Sequence, residues 1–380
     1  MKVGEFKVRY NFILMNTALQ CENCETPYPD KGMPFICPVC GGYFTIYIYH
    51  KLIKSDFTST VPGIWRFKNT FGLPKDAPIS YLGEGRTPLI SLIDGENEIF
   101  LKMESQNPTL SFKDRGSAVL ISKLRQERIT HAIEDSSGNA GASFAAYCAA
   151  FNLAPEIYIP ASTSGPKKDQ IEAYGAKVVR INGSRSDTTQ AALDRVKTSG
   201  GVYASHAFQP FGLTGIATIA YEIFEQMDEQ PDAVFTPIGH GSLFLGIIKG
   251  FEVLKNSGFI TKLPEFIGVQ ASHCAPVWAL WSGSDTNIAE EPTIAEGVRV
   301  TSPIRGHEIV AMLTKYDGRI ERIDEEELIH SWKELRHRGI YLEPTSALPW
   351  AAYQQNKQKR YNNPVLIMTG YGLKSNYRVT

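Results

Sequence analysis

Lys113 stands in the run Asn107-Pro108-Thr109-Leu110-Ser111-Phe112-Lys113-Asp114-Arg115-Gly116, between an aromatic ring and an acidic-basic pair. A Pro-Thr-x-Ser turn precedes it, and the mostly apolar stretch Ala118 to Leu124 predicts a helix after it. The lysine therefore falls at a loop-to-helix junction. Partial burial there lowers an amine's pKa, and a neutral amine can form a Schiff base with an aldehyde. The plain alternative is a surface lysine paired with Asp114. A second chemistry is offered by Cys21-x2-Cys24 and Cys37-x2-Cys40, twelve residues apart. Each two-residue spacer lets both sulfurs of a knuckle face one ion, and Gly41 suits the left-handed turn a knuckle needs. Four soft ligands fit tetrahedral zinc, with iron in a rubredoxin-like centre as the other metal. All four positions are taken by protein, so the expected role is structural: a small zinc ribbon stapling a segment too short to fold alone. Cys148 and Cys274 have largely apolar neighbours and are expected as buried thiols.

Three loops could hold an anionic ligand. Ser136-Ser137-Gly138-Asn139-Ala140-Gly141 precedes an alanine-rich helix, whose first N–H groups can meet a carboxylate. Asn139 adds an amide able to bond a ring hydroxyl; a plain N-cap turn is the alternative. Gly239-His240-Gly241-Ser242-Leu243 follows an apolar strand and opens a helix, which makes a phosphate cup. There His240 reads as a loop residue, since backbone amides suffice for a phosphate. Thr369-Gly370-Tyr371-Gly372-Leu373-Lys374 follows the last strand, with a hydroxyl suited to a pyridine nitrogen. With no carboxylate or arginine beside it, that nitrogen is expected to stay largely unprotonated.

These loops need a scaffold, and the pattern supplies one. Strands are predicted at Glu98–Lys102, Glu156–Pro160, Lys177–Ile181, Ala233–Pro237, Phe266–Gln270 and Val365–Met368. Helices are predicted at Ala142–Asn152, Thr188–Lys197, Thr218–Met227 and Glu325–Arg338. The alternation argues an α/β protein with parallel sheets, whose ligands sit at the carboxyl ends of strands. Near the start, Phe44 to Tyr49 alternates with a period of two and predicts a strand completing the ribbon. Pro62, Gly63, Gly72, Pro74 and Pro78 mark a linker. The 380 residues are 43% apolar with a net charge of -1, so neither nucleic acid nor an anionic membrane is an expected partner. No apolar run approaches the roughly 20 residues that span a bilayer. The short cluster Phe12 to Met15 is too brief for a secretory leader, so the expectation is a soluble cytoplasmic protein.

Taken in order, the motifs resemble those of pyridoxal-phosphate enzymes of fold type II, the tryptophan synthase β family, and within it the threonine synthases. The matching stretches are Gly83-Glu84-Gly85-Arg86-Thr87-Pro88-Leu89, Asn107–Gly116, Asp135–Ser143, Tyr174-Gly175-Ala176, Glu343-Pro344-Thr345-Ser346-Ala347 and Thr369–Lys374. The resemblance covers roughly residues 80 to 376, and a zinc-ribbon start is also met in threonine synthases. It implies two parallel-sheet α/β domains: a large one from 61–113 and 206–380, a small one from 114–205, after a ribbon at 1–60. It implies that Lys113 forms the Schiff base and later carries the proton, and that Asn139 bonds the cofactor's 3-hydroxyl. Ser136, Ser137, Gly138 and Ala140 would hold the substrate α-carboxylate. Gly239, His240, Gly241, Ser242 and Leu243 would cradle the phosphate of pyridoxal 5'-phosphate, and Thr369 would face the ring nitrogen. The implied substrate is a small amino acid, and the implied assembly a homodimer.

Departures from the family fall on the substrate side. Threonine synthases commonly read Asn-Ser-x-Asn-Pro-x-Arg-x-Glu-Gly where this chain has His206-Ala207-Phe208-Gln209-Pro210-Phe211-Gly212-Leu213-Thr214-Gly215. Gly212 replaces an arginine and Ala207 a serine, and an arginine makes the strongest phosphate contact. Gly-His-Gly-Ser replaces Gly-Asn-x-Gly-Asn, and Leu110 stands where a glycine is usual. Two reactions stay open on this reading. One is a threonine-synthase-like lyase turning O-phosphohomoserine into threonine and phosphate. The other is β-elimination or β-replacement, as in a serine/threonine ammonia-lyase or a cysteate or cysteine synthase. Glu296 reads either as reaching the site or as a salt-bridge partner.

Overall fold

The structure, a computed structural model, describes residues 19–46, 51–284, 291–359, 361–375 and 377. Two short strands, β1 (Leu19–Cys21) and β2 (Phe44–Ile46), pair antiparallel and bracket the two cysteine knuckles. The remaining strands are β3 (Leu89–Asp94), β4 (Asn97–Lys102), β5 (His131–Glu134), β6 (Ala154–Pro160), β7 (Lys177–Ile181) and β8 (Val202–Tyr203), then β9 (Ala233–Pro237), β10 (Glu265–Ala271), β11 (Arg319–Ile323) and β12 (Pro364–Ile367). They form a six-stranded sheet in the order β11-β10-β9-β12-β4-β3 and a four-stranded sheet in the order β7-β6-β5-β8. Every pairing in both is parallel except β3 with β4. Helices cover both faces, so β9 and β12 are buried along their whole length, as their continuous apolar sequences require.

This topology brings three loops together. Because β9, β12 and β4 are parallel neighbours, their carboxyl ends share one edge of the sheet. From that edge leave the segment ending at Lys113, the 238–241 loop and the 368–372 loop. The small sheet presents the Asp135–Gly138 loop from the carboxyl end of β5.

Helix Lys113–Gln126 packs on helices Asn139–Ala150 and Phe211–Gln226, and the latter on Ser242–Asn256. Glycines permit these close crossings. A Cβ at Gly215 would stand 2.0 Å from Arg115 O, and one at Gly250 2.4 Å from Ala217 O. Here the sequence reading is corrected: the helix expected from Thr218 begins at Phe211, because Gly212 and Gly215 face a neighbouring backbone and do not break it. The supposed linker is also packed structure. Gly63–Thr70 is a 3-10 helix that buries Trp65 and Phe67, and Trp65 Nε1 donates to Glu84 Oε1 at 2.8 Å. Strand β3 is an addition to the expected set, although Asp94-Gly95 is a hairpin signal and Gly95 has φ 66°. The ribbon strand ends at Ile46 among the described residues; Tyr47 to Tyr49 and the cluster Phe12 to Met15 lie outside them. Cys148 and Cys274 are buried thiols.

Candidate active site

Lys113 is the first residue of its helix. The turn before it is pinned from several sides. Phe112 N–H donates to Thr369 O at 3.1 Å, Tyr371 N–H to Leu110 O at 3.1 Å, and Lys374 Nζ to Thr109 O at 2.5 Å. Asp114 is not an ion-pair partner for Lys113, because its carboxylate accepts from Thr109 N–H, Thr109 Oγ1 and Ser143 Oγ, all at 2.6 Å. That answers the surface-lysine alternative. Lys113 Nζ lies 4.8 Å from the centre of the Phe112 ring, and burial lowers its pKa to about 8 against the pull of Glu134 and Glu343. Leu110, at the family's glycine position, has φ 66°, a left-handed conformation that a β-carbon disfavours.

Glu343 is the residue that sequence reasoning missed. Its buried carboxylate accepts from Asn139 Nδ2 at 3.1 and 3.0 Å and from Thr369 Oγ1 at 3.1 Å, and Lys167 Nζ is 3.4 Å away. The expectation that Thr369 lacks a carboxylate beside it is thereby corrected: Glu343 comes from a separate turn, held by its N–H donating to Gly370 O at 3.0 Å. Only its place in the Glu343–Ala347 motif hinted at it. Glu296 lies at the rim, its Oε2 4.0 Å from Lys167 Nζ and its side chain 63% exposed, which fits the salt-bridge reading.

Behind Lys113 lies a small cavity also lined by Glu134, Ala140, His206, Gly212 and Ser242. It joins the lysine helix to the 136–141 loop, the 206–212 segment and the glycine loop. Glu134 is fully buried; its carboxylate accepts from His206 N–H at 3.0 Å and pairs with His206 Nδ1 at 2.9 Å. Burial, then the charge of Asp135, pushes its pKa up to about 8. The His206 and His240 rings meet edge-on, 5.9 Å between centres, and burial pushes the pKa of His240 down to about 3. A carboxyl raised on folding binds protons more tightly in the native state. Its stabilisation is complete below the unfolded value near 4.5 and fades as pH rises to about 8. Glu134→Gln should therefore flatten the decline of melting temperature across that window; an unchanged slope would contradict the assignment.

The residues suit a phosphorylated pyridine aldehyde. Asn139 Oδ1 and His240 Nδ1 are buried with no hydrogen-bond partner among the described residues, so the site offers polar atoms that a ligand can satisfy. Gly241, with φ 105°, caps the 15-residue helix Ser242–Asn256, leaving free N–H groups for a phosphate. Gly138 does the same for helix Asn139–Ala150. A Cβ at Gly141 would stand 1.9 Å from Ser136 O, so Gly141→Ala must displace the 136–138 loop. We expect it to cost about 1–3 kcal/mol of stability and to weaken cofactor binding. Calorimetry and a fluorescence titration check this, and normal values in both would refute it.

The four cysteines converge as the spacing predicts. Their sulfurs all lie within 4.8 Å of one another, with Cys21 to Cys40 at 3.4 Å and Cys24 to Cys37 at 3.7 Å. Tetrahedral zinc with bonds of about 2.3 Å sets sulfurs roughly 3.8 Å apart, so the set fits the ion. Gly41 has φ 73°, and Gly42 N–H donates to Cys40 Sγ at 3.4 Å, as a metal knuckle requires.

Among known proteins, the family model described as "Pyridoxal-phosphate dependent enzyme" matches residues 81–370. A threonine synthase of Methanocaldococcus jannaschii is 30% identical over 378 residues, covering 93% of this chain and 92% of that protein. One from Bacillus sp. (strain ULM1) is 32% identical over 305 residues, 77% of this chain and 84% of its own. Among solved structures, a threonine deaminase from T.th. superposes with a TM-score of 0.66 at 26% identity, over 78% of this chain and 94% of that one. Among the described residues no helix is long and apolar enough to cross a membrane.

Proposed function

Because this chain belongs to the pyridoxal-phosphate dependent enzyme family, we propose that its threonine-synthase-like chemistry converts O-phosphohomoserine to threonine and phosphate. The observation that carries this reading is Lys113, at a helix start and with a lowered pKa, sharing one cavity with Glu134, Ala140 and Ser242. Pyridoxal phosphate, when bound, supplies the electron sink. The chain's own groups do the rest. Lys113 Nζ holds the cofactor and moves the substrate protons, a task suited to an amine titrating near neutrality. Backbone N–H groups and hydroxyls of Ser136, Ser137, Gly138 and Ala140 bind the α-carboxylate, using the start of the Asn139 helix. Asn139 orients the ring through its hydroxyl, and Gly239 to Leu243 bind the cofactor phosphate. Thr369 would face the ring nitrogen, its hydroxyl donating to Glu343 at 3.1 Å. The four cysteines hold a structural zinc.

A second reading has its own observation. Gly212 lines the cavity with no side chain where an arginine is usual, and Ala207 offers no hydroxyl. That favours a smaller substrate, eliminated or replaced at Cβ. The deciding experiment incubates cofactor-loaded protein with O-phosphohomoserine and quantifies phosphate and threonine in one sample. Equal amounts of both establish the first reading. No release, with 2-oxo acid and ammonia formed from serine or threonine, replaces it with the second.

A further inference from the structure

The cysteine ribbon does not hang from the body; it forms part of the wall behind the active site. Phe208, two residues from His206, has the Phe35 and Tyr43 rings each 5.5 Å from its own. Gln209 Nε2 donates to Met33 O at 3.4 Å, and Tyr28 meets Phe211 at 5.1 Å. Phe35, Tyr43, Tyr28 and Met33 all belong to the segment between the strands β1 and β2. The same two bodies are joined by one guanidinium. Arg305 is 2% exposed, and its Nη2 donates to Phe44 O in β2 at 3.1 Å and to Phe208 O at 3.4 Å. Its Nε donates to Ala207 O at 3.3 Å, and its backbone N–H to His240 O at 3.3 Å. Its fifth link is to Glu308, at 2.9 Å from Nη1; Glu308 in turn meets Lys249 at 3.1 Å and Thr45 Oγ1 of β2. Burial would raise the Glu308 carboxyl, but Lys249 and Arg305 outweigh it and hold it at about 2.

One rigid fork therefore grips the ribbon strand and the segment carrying His206, and the backbone N–H of the same residue holds the glycine loop at His240. We infer that Arg305 is a positioning residue through which the cysteine ribbon sets the geometry of the active site. A loosened ribbon frees the Phe44 carbonyl and the rings around Phe208; the Arg305 fork then no longer holds Ala207 and Phe208 in register, and the shift passes through the Arg305 backbone to the His240 loop. Packed interfaces pass such changes on because they have few alternative arrangements. The inference rests on the metal reading of the cysteines and not on any choice of substrate.

The test uses the full chain loaded with pyridoxal phosphate. Metal content is measured first; a protein purified without chelator and free of metal overturns the inference at once. Zinc is then stripped with a mercurial and a chelator, and the mercurial is reversed with thiol. Cofactor affinity and the visible circular dichroism of the bound cofactor are recorded before and after. Stripping should weaken cofactor binding about fivefold or more and change the dichroism, a coupling of ordinary size between two sites. Readdition of zinc should restore both. In Arg305→Lys, whose single ammonium cannot span four acceptors, binding should start weaker and respond to stripping less than about twofold. Should that variant not fold, Glu308→Gln loosens the same anchor and carries the same expectation. Stripped wild type with unaltered affinity and dichroism, or an equal loss in wild type and variant, would overturn the inference. Failure of untreated protein to bind pyridoxal phosphate would instead count against the family assignment of the site.

Discussion

Lys113→Ala is expected to abolish turnover, lowering kcat by about 10³-fold or more, since covalent attachment and proton transfer are lost together. Borohydride reduction, which ties pyridoxal phosphate irreversibly to its lysine, should label the wild type and leave the variant unlabelled. The fold should survive. The turn before Lys113 is held by Asp114, Thr369 and Lys374, none of which depends on the lysine side chain. The amine also costs stability in the cofactor-free protein. Its pKa falls from 10.5 to about 8 on folding, so the unfolded chain binds more protons between those values. Stability therefore rises with pH across that window, and the cost is complete below it. Lys113→Ala removes the cost, so its melting temperature at neutral pH should match or exceed that of wild type without cofactor. Full activity in the variant would remove Lys113 from the chemistry, and a collapse in melting temperature would make its role structural.

The local parts of this site were legible because local sequence makes them. Lys113 follows a turn, Gly138 and Gly241 stand where a strand hands over to a helix, and the knuckle spacing brings four sulfurs together. The period-two and 3.6-residue patterns gave most sheet strands within a residue or two. What stayed hidden depends on tertiary neighbours. Glu343 meets Asn139 across 204 residues, and nothing near either position predicts the contact. Glu134 and His206 are 72 apart, and in the sequence His206 shows only as part of a departure from the family pattern. Arg305 reaches the ribbon from 261 residues away. The start of the Phe211 helix was also hidden, since only the facing helix shows why Gly212 and Gly215 lie within it, ahead of the expected Thr218. Fold type is thus carried by short-range periodicity, and the electrostatics of the site by chain segments that only the folded sheet brings together.

The largest effect on stability should come from a residue two positions after the lysine. Arg115 is fully buried, its Nε and Nη2 on Glu104 at 2.7 Å each, its Nη1 and Nη2 on Glu222 at 2.9 and 2.7 Å. Lys102, also buried, donates to Glu222 at 2.8 Å, so two cations balance two carboxylates. The cluster ties β4, the turn at Glu104, the lysine helix and helix Phe211–Gln226, which are the elements that aim Lys113. Burial works against the Glu222 carboxylate, yet Arg115 and Lys102 hold its pKa well below the usual range. Arg115→Met leaves two buried carboxylates to one lysine, and removing one partner of a buried pair costs about 3–5 kcal/mol. For a chain of this size that is a fall in melting temperature of roughly 4–6 °C. The pH dependence separates this cause from lost packing. In the variant Glu222 no longer has its strongest partner, so its pKa rises and it takes up a proton more readily as pH falls. The deficit of Arg115→Met relative to wild type should therefore shrink toward acidic pH, where a neutral carboxyl no longer carries an uncompensated charge. A deficit that stays constant with pH would assign the loss to packing, and one below about 1 kcal/mol would contradict the cluster's role altogether.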